Sequence, residues 1–212
     1  MNLRSSRLTT ALRVAAPAAA ALTLTLAVAG PASASPSLVS RSGSEILYSA
    51  LPGEANDVTF SVLAGQLVVT DAASPLTPGP GCVRINANSA RCGGSATVTR
   101  IRATLGDEDD RADNQTAIAS DLDGGSGQDV LLGGTGTDRL TDPDGSTAGG
   151  TPTTFSGRAG NDTIVSRNLG YDRVDCGAGF FDVVIADNAG LDTIVPPVPM
   201  QPGSGCEFVQ RF

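Results

Sequence analysis

Gly124-Gly-Ser-Gly-Gln-Asp129-Val-Leu-Leu132 runs without a gap into Gly133-Gly-Thr-Gly-Thr-Asp138-Arg-Leu-Thr141. These are two tandem copies of Gly-Gly-x-Gly-x-Asp-x-U-x, with U aliphatic. Glycines admit the positive φ of a tight turn and turn its carbonyls inward. The Asp closes the turn with a carboxylate, and U, two residues on, begins a short strand whose side chains alternate between faces. Nine residues make one turn and one strand. Eighteen make a coil with turns on alternate edges, and residues eighteen apart stack at roughly the inter-strand spacing of ~4.8 Å. A short fixed period of this kind predicts a stacked all-β solenoid.

Weaker copies flank the pair. Downstream lie Gly157-Arg158-Ala-Gly-Asn-Asp162-Thr-Ile164-Val, with Arg158 in the second Gly slot, then Gly170-Tyr-Asp172-Arg-Val174, Asp182-Val-Val184 and Gly190-Leu-Asp192-Thr-Ile194. Upstream, Leu105-Gly-Asp-Glu108-Asp-Asp110 resembles one copy with Glu108 in a Gly slot. Six copies share Asp-x-U, at 129/131, 138/140, 162/164, 172/174, 182/184 and 192/194. Further upstream, residues 44–73 read as short β-branched strands separated by Pro52-Gly53 and Ala64-Gly65, and 96–105 alternates as a strand. Residues 74–81 read as a Pro/Gly loop, and Cys82 to Cys92 as a stapled hairpin. No sustained 3.6-residue apolar period predicts a helix after residue 34.

The ends set the compartment. Arg4, Arg7 and Arg13 precede an apolar run over 14–30, and Ala32-Ser33-Ala34 offers a small-residue cleavage site, so 1–34 reads as a secretory signal peptide. The protein is expected to be secreted and extracellular, with no membrane insertion after cleavage. Four cysteines in an exported chain imply two disulfides. Of three possible connectivities, Cys82–Cys92 and Cys176–Cys206 are favoured because each pair lies within one segment. The expected organisation is a β-rich N-terminal region over 35–105, a Gly/Asp-repeat parallel β-roll over 106–195, and a tail over 196–212 tied by Cys176/Cys206.

Charge points to cations. Beyond residue 34 stand eleven Arg against twenty-two acids, a net of −11, and residues 107–192 alone carry −12. Asp outnumbers Glu eighteen to four, which suits short carboxylate arms in turns. Such a surface repels phosphates, so no nucleic acid partner is expected. Carboxylates stacked ~4.8 Å apart repel by about 1 kcal/mol in water and about 3 kcal/mol at an effective dielectric of 20. A hard cation between turns relieves that repulsion, and Ca2+, with six to eight oxygen ligands, suits carboxylates and peptide carbonyls. Asp129 and Asp138, nine apart, lie on opposite edges and cannot share an ion. Asp110, nineteen residues before Asp129, is the expected partner of Asp129. Asp162 is the expected partner of Asp138 if residues 142–155 loop out by six. Carbonyls of Gly125, Gly127, Gly134 and Gly136 would complete the shells. Asp121-Leu-Asp123-Gly124 and Asp142-Pro-Asp144-Gly145 resemble fragments of an EF-hand loop but lack its closing Glu, and read as turn starts.

Residues 124–141 closely resemble the hemolysin-type, or repeats-in-toxin (RTX), calcium-binding repeat, and degenerate copies extend the resemblance over about 106–195. That resemblance implies a parallel β-roll with calcium held by the turn Asp and glycine carbonyls. Val174-Asp-Cys176-Gly and Cys206-Glu207 are also similar to small secreted carriers of such repeats. An enzyme is not expected. The chain has no His, which removes the usual general base, and lacks Lys and the Gly-rich or nucleophile-elbow motifs. The alternative is a metal-independent structural or adhesive β-solenoid of the cell exterior, with Asp acting only as a turn former. A protein or cell-surface partner is not readable from the sequence.

Overall fold

A computed structural model describes residues 36–144, 152–188, 190–196, 203 and 205–212. The predicted signal peptide, residues 145–151 of the predicted 142–155 insertion and part of the tail lie outside these residues.

The chain is almost entirely β. The N-terminal region contributes β1 (Ser37–Ser42), β2 (Glu45–Ser49), β3 (Asp57–Leu63), β4 (Gln66–Asp71), β5 (Leu76–Pro78), β6 (Val83–Asn86) and β7 (Ser89–Gly94). A single 3-10 turn, Ser95–Thr97, precedes β8 (Arg100–Thr104). The repeats then supply β9 (Arg111–Asn114), β10 (Ala119–Asp123), β11 (Val130–Leu132), β12 (Arg139–Thr141), β13 (Thr153–Ser156), β14 (Thr163–Ser166), β15 (Asp172–Asp175), β16 (Val183–Ala186) and β17 (Thr193–Ile194). The last strand is β18 (Phe208–Arg211).

Two nine-stranded sheets result. Sheet A runs β18-β16-β14-β12-β10-β8-β2-β1-β5, and sheet B runs β17-β15-β13-β11-β9-β3-β4-β7-β6. From β8 onward, successive strands fall alternately in the two sheets and pair in parallel with the strand two before or after. Strands β2 and β3 pair in parallel with β8 and β9, so hydrogen bonding continues from the N-terminal region into the repeats. The register steps by 19 from Arg111 to Val130 and by 18 from Asp121 to Arg139. Across the 142–155 segment it steps by 24, from Arg139 to Thr163, six more than the step from Asp121 to Arg139.

Three strands escape the sequence reading, one of them β18 in the expected tail. Residues 74–81, read as a loop, contain β5, and β1 precedes the first expected strand. β5 forms the outer edge of sheet A, where Pro78 costs no ladder hydrogen bond. The expected strand over 96–105 begins only at Arg100, because Thr97 Oγ1 donates back to the Gly94 carbonyl and closes the 3-10 turn.

Two apolar columns fill the interior. Tyr48, Ala103, Leu122, Leu140, Ile164 and Val184 stack on sheet A, and Val58, Ala112, Leu131, Phe155, Val174 and Ile194 stack on sheet B. All are buried except the half-buried Ile194. The six U residues of Asp-x-U are members of these columns, which is why their spacing is regular. Each fully buried aliphatic contributes about 1.5–3 kcal/mol. Disulfides Cys82–Cys92 and Cys176–Cys206 form, the first across the β6–β7 hairpin and the second tying the tail to the turn after β15.

Candidate metal centre

The parallel register places the turn acids in two columns, one on each edge. The first column holds Asn56, Asp110, Asp129, Thr153, Asp172 and Asp192, each just before or at the start of a sheet B strand. The second holds Ser120, Asp138, Asp162, Asp182 and Glu207, along sheet A.

Within a column a carboxylate typically accepts the backbone N–H of the rung before it; Asp172, with no donor on either oxygen, does not. Asn56 donates to Asp110 Oδ1 (2.6 Å), and Asp110 to Asp129 Oδ1 (2.9 Å). On the other edge Asp138 donates to Asp162 Oδ1 (2.8 Å), Asp162 to Asp182 Oδ1 (2.7 Å), and Asp182 to Glu207 Oε2 (2.9 Å). The structure therefore sets Asp110 beside Asp129 and Asp138 beside Asp162.

The glycines make this close stacking possible. A Cβ on Gly124 would overlap Asp129 Oδ2, which folds back over its own turn, and a Cβ on Gly133 would lie 2.8 Å from Asp138 Oδ2. Side chains on Gly125, Gly127 and Gly134 would overlap the carbonyl oxygens of Gly106, Glu108 and Thr116, 18 or 19 residues earlier. One on Gly136 would lie 2.8 Å from that of Ala117. Gly125 and Gly127 also need positive φ, at 91° and 136°. For Gly134 and Gly136 the close approach alone requires glycine. The Gly134 carbonyl accepts the Ala159 N–H (3.2 Å).

The two edges differ in what their second carboxylate oxygens meet. Asp138 is saturated: Oδ1 accepts from Ser120 N (2.7 Å), Ser120 Oγ (2.6 Å) and Asn114 Nδ2 (3.4 Å), and Oδ2 from Gly134 N (2.7 Å). Beside it stands a cation of the protein's own. Arg158 has φ 68°, and its Nη1 donates to the Asn114 carbonyl (3.1 Å) and the Gly133 carbonyl (3.0 Å) and forms an ion pair with Asp113 Oδ1 (2.8 Å). Burial alone would raise Asp113, but Arg158, Gln115 and Arg111 hold its carboxyl below the usual range. Asp162 keeps one buried oxygen without a donor, and burial with the charges of Asp138 and Asp182 pushes it up to about 7.

Among the described residues the first edge has no such cation. Buried oxygens without a donor remain on Asp110 (Oδ2), Asp123 (Oδ1), Asp129 (Oδ2), Asp142 (Oδ2), Asp144 (Oδ1), Asp172 (Oδ1 and Oδ2) and Asp192 (Oδ1). Asp129 is fully buried and is pushed up to about 6 by burial, against which the Asp110 N–H works, and then by the charges of Asp144, Asp109 and Asp123. Asp142 is pushed up to about 8, first by burial and then by Asp144 and Asp129, while Thr153 works against the shift. Asp110 also reaches about 8, from burial offset by Asn56 and reinforced by Asp129, Asp71 and Asp107. Asp144 Oδ2 accepts the Gly127 N–H (3.3 Å), which places it against the Asp129 turn. None of Asp110, Asp129, Asp142 and Asp144 belongs to an ion pair among the described residues.

Asp142 and Asp144 are ligand candidates that the sequence reading passed over as a turn start. Their signal was positional. Nine residues beyond Gly133, Asp142 occupies the first Gly slot of the next nonapeptide, where Thr153 has taken the column position an Asp would hold. Among the described residues no three Cys, His, Asp or Glu side chains converge on a single point. A centre here would therefore rest on pairs of carboxylates completed by peptide carbonyls. No protein-family model, curated protein or solved structure matches the chain.

Proposed function

We propose that the chain is a secreted, non-enzymatic calcium-binding β-roll of the hemolysin-type repeat kind, with Ca2+ held between stacked turns along its first edge. One observation carries this reading: Asp144 sits against the Asp129 turn through the Gly127 N–H and beside Asp142 through its own N–H, and Asp129, Asp142 and Asp144 each keep a donor-free buried oxygen with no ion-pair partner among the described residues. An uncompensated buried charge is expensive, and protein folds that keep one give it a partner or a metal. The donors are all hard oxygens, the set that suits Ca2+. Asp129, Asp142 and Asp144 supply carboxylates, and the carbonyls of Gly125 and Gly127 lie in the same turn. Calcium would couple to folding by binding the assembled turns and not the unfolded chain.

The second edge favours the scaffold reading for its own turns. Asp138 has no uncommitted oxygen, and Arg158 already bridges the carbonyls of two coils. Calcium is accordingly assigned to the first edge, with the Asp138/Asp162 rungs serving as a hydrogen-bonded frame.

The test is calorimetric titration of chelated, disulfide-intact protein with Ca2+, for the wild type and for Asp142→Asn/Asp144→Asn. Binding in the wild type that is lost or strongly weakened in the double variant supports the reading. An absence of heat in a protein that is fully folded in chelator would leave the metal-independent scaffold in its place.

A further inference from the structure

The loop between β2 and β3 carries a polar cluster outside the repeats. Glu54 and Asn56 are 2 % and 3 % exposed, in a loop whose sequence, Pro52-Gly-Glu-Ala-Asn-Asp57, has no place in the nonapeptide pattern. Glu54 Oε2 accepts from Ser37 Oγ (3.1 Å) and from the Leu51 N–H (3.3 Å). The Asn56 carboxamide donates through Nδ2 to the same Ser37 Oγ (3.1 Å) and to Asp71 Oδ2 (3.1 Å). Its backbone N–H donates to Asp110 Oδ1 (2.6 Å). One hydroxyl and one peptide N–H thus join Glu54, Asn56 and Asp110.

The donor inventory of this cluster is uneven. Asp71 is fully served, by the N–H groups of Asp57, Ala73 and Ser74 on Oδ1 and by Tyr48 Oη (2.6 Å) and Asn56 on Oδ2. Glu54 Oε1, Asn56 Oδ1 and Asp110 Oδ2 are each buried with no donor. A carboxamide oxygen cannot relieve this by taking up a proton at ordinary pH. Hydrogen bonding among the three is also impossible while both acids are ionised, because all three atoms only accept. Glu54, Asp71 and Asp110 enter no ion pair among the described residues.

We propose that Glu54 Oε1, Asn56 Oδ1 and Asp110 Oδ2 form a second cation site, for a hard divalent ion such as Ca2+, that locks the β2–β3 loop onto the first rung of the acidic column. Two carboxylates balance a divalent charge, and the amide oxygen is a neutral ligand of the kind Ca2+ accepts. Besides Asp110, the site uses residues the repeat does not contain, and it does not depend on calcium at Asp129, Asp142 and Asp144.

The chain itself provides a reporter. It has no Trp and two Tyr. Tyr48 lies one hydrogen bond from Ser37 (3.1 Å), the hydroxyl shared by Glu54 and Asn56. Tb3+ substitutes for Ca2+ at oxygen sites and emits when a nearby tyrosine is excited. With the second tyrosine removed by Tyr171→Phe, the disulfide-intact chain is titrated with Tb3+. Emission that disappears in Glu54→Gln and in Tyr48→Phe, but persists in Asp142→Asn/Asp144→Asn, supports the site. No emission from Tyr171→Phe, or emission that survives Glu54→Gln, overturns it. Emission lost only in the Asp142/Asp144 variant places the ion in the column and also overturns it. Glu54→Gln further separates this from loss of fold. Its new amide donates to the orphaned oxygens, so in chelator it melts above the wild type. A lower melting temperature or failure to fold in chelator contradicts the claim that those oxygens lack a donor.

Discussion

Replacing Asp129 by Asn removes a buried charge and keeps its shape. The Asn carbonyl oxygen still accepts the Asp110 N–H, and the backbone N–H of residue 129 still donates to Thr153 Oγ1 (3.1 Å). What disappears is a negative charge facing Asp144, Asp109 and Asp123 in a fully buried position. Asp129 titrates at about 6 in the fold against 3.8 ordinarily, so ionising it costs the metal-free fold about 3 kcal/mol. At pH 8 in chelator, Asp129→Asn is therefore expected to stabilise by up to about 3 kcal/mol, raising Tm by about 6–12 °C for a domain of this size. At pH 4, where the wild-type carboxyl is protonated in the fold, the advantage vanishes. With calcium present the variant's advantage closes. The wild type gains about 2.7 kcal/mol at a hundredfold excess over Kd, and the variant, having lost a ligand, gains less. Thermal melts followed by circular dichroism at both pH values, with chelator and with calcium, measure all four states. A variant that melts below the wild type in chelator at pH 8 refutes the reasoning, because it shows that the carboxylate stabilises the fold without an ion.

Other consequences follow from the same geometry. Asp110, Asp142, Asp162 and Asp172 are all raised, to between about 7 and 8, chiefly by burial. The metal-free fold therefore binds more protons than the unfolded chain between about pH 4 and 8, and its Tm should fall as pH rises through that window; a Tm that is flat or rises in chelator contradicts this. Protons compete for the same oxygens, so calcium affinity measured by titration should weaken from pH 8 to pH 6. Arg158→Gly relieves a strained backbone but removes three charge-assisted contacts, and is expected to cost about 2–4 kcal/mol with or without calcium, read from denaturant melts. Gly127→Ala drives a methyl into the Glu108 carbonyl at a positive φ and should cost about 2–4 kcal/mol or prevent folding, visible as loss of soluble, cooperatively melting protein. Opening Cys176–Cys206, which spans 30 residues, by substituting both cysteines with Ala should cost about 3–4 kcal/mol, measured by the same melts.

The repeat was legible because one physical constraint repeats with it. Asp-x-U fixes a turn, a carboxylate and an inward aliphatic residue at once, so Leu131, Leu140, Ile164, Val174, Val184 and Ile194 could be assigned to the core without coordinates. The pairing of Asp110 with Asp129 and of Asp138 with Asp162 was readable for the same reason, since parallel stacking converts sequence offset into spatial neighbourhood. What the pattern did not carry was the state of each carboxylate. Asp138 and Asp129 occupy equivalent slots. Only tertiary structure shows that Ser120, Asn114 and Gly134 saturate the first while the second keeps a bare oxygen. Asp142 was hidden by replacing a glycine, Asp144 by standing in a variable slot, and Arg158 by reaching back to the carbonyls of Asn114 and Gly133. In the N-terminal region, Asn56-Asp57-Val58 stands in register with Asp110-Arg111-Ala112, but 54 residues of intervening hairpins break the period that would have revealed it.

The most direct test of calcium on the first edge is an anomalous difference map from crystals grown in calcium, collected at a long wavelength where calcium scatters anomalously. The account predicts a peak at the Asp129, Asp142 and Asp144 oxygens, with ligand distances of about 2.3–2.6 Å, and none between Asp138 and Asp162. A map with no peak beside Asp129, in a protein whose repeats are folded as described, would contradict it.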